Sequence, residues 1–114
     1  MIKFCEIQIV EPILKNAKNP LSAENPVKAY KLTIYDGEKQ LTVVSAIVDL
    51  FKPEDLLKQT VTFDFSYPPK EIRGFVSEAM IYLTDNDKLI TTDLDFTLGA
   101  SYNPVTGDIT IASK

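Results

Sequence analysis

Few residues in this chain could carry chemistry, and they concentrate in one run. Tyr67-Pro68-Pro69-Lys70-Glu71-Ile72-Arg73-Gly74-Phe75-Val76-Ser77-Glu78 holds two cations, a hydroxyl and two aromatic rings within twelve positions. Lys70 and Arg73 suit an anion. A guanidinium presents a planar fork of donors that can grip a phosphate bidentately or stack on a ring. The alternative for this run is a solvated loop with a local ion pair. Gly74 supplies backbone freedom under either reading. Ser77 suits a hydrogen bond to a nucleotide, or one to neighbouring backbone. Other chemistry is scarce. With no histidine, a Ser-His-Asp triad, a Cys-His dyad, a histidine metal site and a histidine pH switch are all excluded. The one cysteine, Cys5, excludes an internal disulfide and a cysteine-rich zinc site, and reads as a small buried hydrophobe.

Acid clusters offer no better site. The loop starting at Asp85 fails the calcium pattern, with Ile90 at the glycine position and Phe96 where a bidentate Glu belongs. Asp85, Asp87, Asp93 and Asp95 therefore read as solvated turn and edge residues. Neither Glu6 with Glu11 nor Glu54 with Asp55 has surroundings that would make a matched acid and base. No cofactor, metal or catalytic residue is expected, so the chain reads as a non-enzymatic module.

The formal charge of the 114 residues is −4. Net acidity opposes a simple polycationic nucleic-acid binder. Yet residues 1–73 balance ten basic groups against ten acids, and the excess lies wholly in residues 74–114. The Lys70–Arg73 run can still present a basic surface. No apolar run approaches the ~20 residues of a membrane span, and no signal-peptide core precedes Glu6. The expectation is a reduced, cytoplasmic protein without membrane insertion.

The elements that must position these residues are strands. Cys5, Ile7 and Ile9 alternate with polar neighbours, as do Tyr30, Leu32 and Ile34, and Val61, Phe63, Phe65 and Tyr67. Period two places alternate side chains on opposite faces of a sheet. Leu41–Val48 and Glu78–Leu83 are more continuously apolar and read as central strands, with Met80 in the core. Asp36-Gly37 signals a tight hairpin turn. Asn103–Asp108 reads as a loop between strands at Leu98–Tyr102 and Ile109–Ala112. Pro53-Glu54-Asp55-Leu56-Leu57 is the one short helix, with Pro in its first turn and acids at the positive end of the dipole. Residues 11–28, with three prolines, read as a long surface loop of the kind that is often functional. Strands with a helix before the fourth describe an all-β, five-stranded OB-fold Greek-key barrel with a C-terminal hairpin extension over 99–114. One domain over 1–114 is expected.

On a barrel face, basic residues with aromatics can track a backbone and stack bases. Tyr30 shares its phase with Leu32 and Ile34 and reads as core. Lys31 points to the other face with Thr33 and Tyr35, which makes Tyr35 and Phe75 the better stacking candidates.

The run at 67–83 resembles the signature of the tRNA-binding OB domain found in synthetase-associated proteins: basic residue, apolar residue, Gly, Ser, then Met. The fuller resemblance is to the CsaA branch of that family, small homodimers described as secretion chaperones and as tRNA-binding proteins. Pro68-Pro69-Lys70-Glu71-Ile72-Arg73-Gly74-Phe75-Val76-Ser77-Glu78 is similar to that branch's loop. So are Ala29-Tyr30-Lys31-Leu32 with Asp36-Gly37, Ser45-Ala46, and Leu50-Phe51-Lys52-Pro53-Glu54-Asp55-Leu56. Together these pieces span roughly residues 4–100. The resemblance implies tRNA or another structured RNA as partner, bound at Lys28, Lys31, Ser45, Lys70, Arg73 and Ser77 through phosphate contacts and shape. It implies, alternatively, a dimeric chaperone for unfolded or export-destined polypeptide, with an apolar groove lined by Tyr67, Phe51 and Phe75. The chain departs from the branch at Val44 and Ile47, where polar residues are usual. On the sequence these replacements thin the polar side of the expected binding face.

Overall fold

The computed structural model describes residues 1–92 and 97–111. Its elements are β1 (Ile2–Leu14), β2 (Val27–Tyr35), β3 (Gln40–Ser45), α1 (Pro53–Leu56), β4 (Thr60–Asp64), β5 (Lys70–Ile72), β6 (Phe75–Ser77), β7 (Met80–Ile81), β8 (Ser101–Tyr102) and β9 (Ile109–Thr110). The architecture is all-β with one short helix, as the alternation dictates. The expected positions of Asp93, Asp95, Phe96 and Ala112 lie outside the described residues.

The main sheet runs β3-β2-β1-β4-β7, every neighbouring pair antiparallel. Its inner face carries the core: Cys5, Ile7, Leu32, Ile34, Val43, Val61 and Phe63 are fully buried there, and Leu56 of α1 joins them. Tyr30 is core too, its hydroxyl donating to the Phe51 carbonyl at 2.8 Å. The expected barrel does not close by a ladder. Between β3 and the 77–79 corner, the gap is spanned by separate bonds. Glu78 N–H donates to Thr42 O at 2.8 Å, Thr42 N–H to Glu78 Oε2 at 2.8 Å, and Val44 N–H to Ser77 Oγ at 3.0 Å.

Two bulges re-aim the long strands. β1 pairs Ile7 with Ile34 but Ile9 with Thr33, so Gln8 is an extra residue. Alternation flips there. Ile9, expected inside, is 47% exposed, while Val10 packs on the core. β1 also continues to Leu14, into what the prolines suggested was loop. The second register shift lies where Ile13 and Leu14 face Ala29 and Val27, leaving Lys28 between them.

Other expectations shift for local reasons. The connection after β2 is four residues, with Tyr35 paired to Gln40. Asp36 Oδ1 accepts the N–H groups of Glu38 and Lys39 at 2.8 and 2.9 Å and shapes the wider turn. Burial alone would raise the Asp36 carboxyl; the N–H bonds from Lys39 and Glu38 and nearby Lys3 hold it below its usual value. β3 stops at Ser45, because the Ile47 carbonyl accepts from Leu50 and Phe51 and turns the chain. Of the expected strand 78–83, only Met80–Ile81 forms, at the sheet edge, and Met80 is 51% exposed rather than core. The C-terminal hairpin forms around Asn103–Asp108 but with shorter arms than expected, Ser101–Tyr102 and Ile109–Thr110, because the chain turns at Gly99, and Ser101 of β8 pairs with Lys3. The start of β1 is thereby covered on both faces: Phe4 is buried beside Tyr102, ring edge to ring face at 5.8 Å.

Candidate nucleic-acid interface

The run that carries the candidate residues is itself a hairpin. β5 and β6 pair Lys70 with Ser77, Glu71 with Val76 and Ile72 with Phe75, leaving Arg73-Gly74 as a two-residue turn. Both central residues have positive φ, 51° and 86°. That is the type I′ geometry, which matches strand twist. Gly74 adopts it freely. Arg73, which carries a Cβ, adopts it at a cost. The sequence signal was present but masked, since Arg-Gly is a weak turn pair beside Asn-Gly or Asp-Gly.

One apolar residue and one hydroxyl dock the hairpin. Ile72 packs against Ile13, Ala29 and Val44, a small second cluster on the outer face of β1–β3. Ser77 is 4% exposed; its Oγ accepts from Val44 N–H and donates to Ala79 O at 2.8 Å. The Ser77 hydroxyl is thus engaged in the seam, at the border of the hollow that Tyr67 lines. The same docking revises the reading of the two departures. Val44 lies beneath the hairpin and Ile47 in the main core, 4% and 7% exposed. Neither belongs to an exposed face, so neither thins a polar surface.

The docked hairpin brings Phe75 to Lys31. The ammonium lies 4.8 Å from the ring centroid, within cation–π range. The bulge at Gln8 places Glu11 opposite Lys31 in the β1–β2 register, with Oε1 at 4.0 Å from Nζ. Lys31, Phe75, Glu11 and Ala17 border one hollow of about 260 Å³ on this face. Arg73 is exposed in the turn next to Phe75, Lys70 is exposed at the other end of the hairpin beside Tyr67, and no ion pair within 4 Å holds either among the described residues. The local ion pair that would have made this an inert loop is not formed.

The remaining candidates separate. Lys28 is exposed at the β2 bulge. Ser45 pairs with Tyr30 and so shares the inner-face phase, opposite to Lys31. Tyr35 sits at the far end of β2, its hydroxyl donating to Gly37 O at 2.9 Å. The expected three-ring groove is not assembled. Phe51 packs on the main core, Phe75 borders the Lys31 hollow, and Tyr67 borders a different one. That second hollow, about 360 Å³, is lined mainly by apolar groups including Pro68, Pro69, Ile72 and Met80.

Cys5 is buried, and burial pushes its thiol up to about 12, with Asp36 adding to the rise. It is no nucleophile at neutral pH. Among the described residues no group of three or more Cys, Asp or Glu side chains could hold a metal, and no helix is long and apolar enough to cross a membrane.

Known proteins share this fold and part of this sequence. Residues 14–102 match the family described as "Putative tRNA binding domain". Methionine–tRNA ligase of Cytophaga hutchinsonii is 39% identical over 59 residues, 52% of this chain and 9% of the ligase. That of Deinococcus radiodurans is 33% identical over 82 residues, 68% of this chain and 12% of the ligase. The chain thus spans about a tenth of the length of these relatives. Among solved structures, a MetRS-related protein from Pyrococcus horikoshii superposes with TM-score 0.66 at 24% identity, covering 86% of this chain and 84% of that one. The CsaA chaperone protein of Picrophilus torridus gives 0.61 at 26% identity, covering 95% and 88%. With most of its length inside that match, and with the docked hairpin built from the motif itself, the chain belongs to the tRNA-binding domain family.

Proposed function

We propose that this protein is a non-enzymatic OB-type module that binds tRNA on the outer face of β1–β3. The observation that carries the reading is the Lys31–Phe75 pair beside the exposed Arg73 turn, which no ion pair holds among the described residues, in a chain of the tRNA-binding domain family. A single-stranded end of an RNA presents phosphates and unstacked bases together. Arg73, Lys70 and Lys31 meet the phosphates, Phe75 offers a ring, and Lys28 extends the basic margin along β2. Ser45 and Ser77 are left out of the contact set. A cytoplasmic setting and a homodimer accompany the reading. Binding of labelled tRNA should weaken as salt rises, with Arg73→Glu weaker than wild type and its salt slope shallower by about one. Failure of the protein to retain tRNA at low salt would refute the reading.

A second reading follows from the Tyr67 hollow, whose apolar lining and exposed Met80 suit an extended polypeptide segment. The CsaA proteins whose structures resemble this one are described as chaperones. On that reading the protein suppresses aggregation of an unfolded client with little salt dependence, and Met80→Glu abolishes the effect while tRNA binding persists. A protein that leaves client aggregation unchanged would dismiss it.

A further inference from the structure

At the base of the β5–β6 hairpin lies the hollow of about 360 Å³ that Tyr67 borders. Its wall is apolar at Tyr67, Pro68, Pro69, Ile72, Ala79 and Met80, and both Tyr67 and Met80 are exposed. Lys70 is the one charged residue on that wall, and no acid lines it. Its side chain is exposed, with no acidic partner within 4 Å among the described residues. It stands opposite Ser77, away from the Arg73 turn. What the wall lacks narrows the occupant further. Pro68 and Pro69 have no N–H to give. Ile72 and Phe75 close a two-residue turn, so antiparallel alternation directs the backbone groups of Ile72 and Lys70 to their partners on β6. Met80 pairs with Asp64 of β4. The Ser77 hydroxyl already accepts from Val44 N–H and donates to Ala79 O. No continuous row of backbone donors and acceptors therefore faces the hollow, and a strand laid through it would bury peptide groups without partners, at a cost.

We propose that the Tyr67 hollow binds the carboxyl terminus of a polypeptide whose last residue is large and apolar. The last side chain lies against Tyr67, Pro68, Ile72 and Met80, and the terminal carboxylate meets the Lys70 ammonium. The inference rests on the polypeptide reading above and sharpens it from an unfolded segment to a chain end. A chain end suits this wall because it brings one apolar group and one anion, with no further peptide group to satisfy beyond them. A lone cation on an apolar surface, with no acid beside it, favours that charge pattern and disfavours a basic segment. On the tRNA reading the same ammonium also meets phosphate, so tRNA competes with a chain end for it.

The test is anisotropy of a labelled glycine–serine hexapeptide ending in phenylalanine, as the free acid and as the carboxy-terminal amide, with wild type, Lys70→Gln and Met80→Glu at low salt. Both substitutions are at exposed side chains, so the fold is retained. The acid should bind wild type roughly fivefold more tightly than the amide. That ratio should fall to about one in Lys70→Gln, the signature of a direct pair, and Met80→Glu should lose both peptides. Equal binding of acid and amide by wild type, with both lost in Met80→Glu, would overturn the chain-end inference and leave the polypeptide reading standing. An acid preference that survives Lys70→Gln would overturn it as well. So would an amidated peptide with phenylalanine–aspartate in its interior that binds as tightly as the free acid, because the occupant is then an internal segment. If dodecanoate displaces the peptide and binds more tightly than it, the hollow serves a small amphipathic carboxylate and the proposal is wrong. If no peptide binds while client aggregation is still suppressed, the chain-end inference falls alone. If neither is seen, both readings fall together.

Discussion

Ser77→Ala separates a residue that touches RNA from one that holds the fold. The hydroxyl makes two buried bonds, from Val44 N–H at 3.0 Å and to Ala79 O at 2.8 Å. Removing it orphans the Val44 N–H at a residue 4% exposed, and an unsatisfied buried donor costs about 1–3 kcal/mol. The lost bond to the Ala79 carbonyl adds about 0.5–1.5 kcal/mol. A total of about 1.5–4.5 kcal/mol follows. At a urea m-value of about 1.5 kcal/mol/M, the unfolding midpoint falls by roughly 1–3 M. The hairpin itself should stay docked. Ile72 still covers Ile13, Ala29 and Val44, and the two bonds between Thr42 and Glu78 remain. Affinity for tRNA below the unfolding range should therefore change less than about threefold, with an unaltered salt slope, because no phosphate contact is lost. The assays are urea unfolding followed by near-ultraviolet circular dichroism and anisotropy of labelled tRNA. A midpoint within 0.3 M of wild type with a collapse in affinity would refute the reasoning, because the hydroxyl would then be serving the ligand rather than the seam.

Three further outcomes follow from backbone and burial. Arg73 stands at φ 51°, so Arg73→Gly should stabilise the protein by about 0.5–1 kcal/mol while weakening tRNA binding, which urea unfolding and anisotropy on one sample would check. Gly99 has φ 81°, and an added Cβ would lie 2.5 Å from the Asp36 carbonyl oxygen, so Gly99→Ala should cost about 2–4 kcal/mol and lower the melting temperature; an unchanged melting point would show that the 97–102 segment does not dock there. The Cys5 thiol, raised from 9.0 to about 12, should resist disulfide reagents at pH 8 until urea unfolds the chain. Because its folded value is the higher one, its contribution is intact below pH 9 and is lost as pH rises toward 12, which Cys5→Ala compared with wild type across that range would reveal.

The sheet was legible where period two ran unbroken. Leu32 and Ile34, or Val61 and Phe63, face the core as their alternation requires. It misled at Ile9, because one extra residue at Gln8 shifts every later side chain of β1 to the other face. Nothing in Glu6-Ile7-Gln8-Ile9 marks that bulge; it is set by pairing with β2, a long-range fact. The same limit hid the meaning of Val44. Read along the chain, a valine in place of a polar residue looks like a damaged binding surface. Read across the sheet, it is the floor on which Ile72 seats the hairpin. Ser45 lies one position of phase away from Lys31 and so shares the inner face, whereas Lys31 and Phe75, distant in sequence, meet on the outer face.

These errors share one cause, and it bears on how a net-acidic chain can offer an anion site. The −4 charge is a sum over the surface, but a phosphate responds to what lies within about a Debye length of it, near 8 Å at physiological salt. The bulge at Gln8 sets one contribution to that local balance, a negative one, and with it the orientation of Lys31. It turns Glu11 toward Lys31 at 4.0 Å, where the carboxylate and the Phe75 ring together hold the ammonium in place before any ligand arrives. A half-exposed pair of this kind is worth at most about 1 kcal/mol, as is an exposed cation–π contact. Each is weak enough for a phosphate to displace and strong enough to limit the rotamers Lys31 must give up on binding. Arg73 needs no such partner, because its left-handed backbone in a two-residue turn already fixes the direction in which its side chain leaves the hairpin. The cations of the proposed site are therefore aimed by register, bulge and turn, features that pair counting along the sequence does not reach, and that is how the proposal stands in a chain whose total charge argues against it.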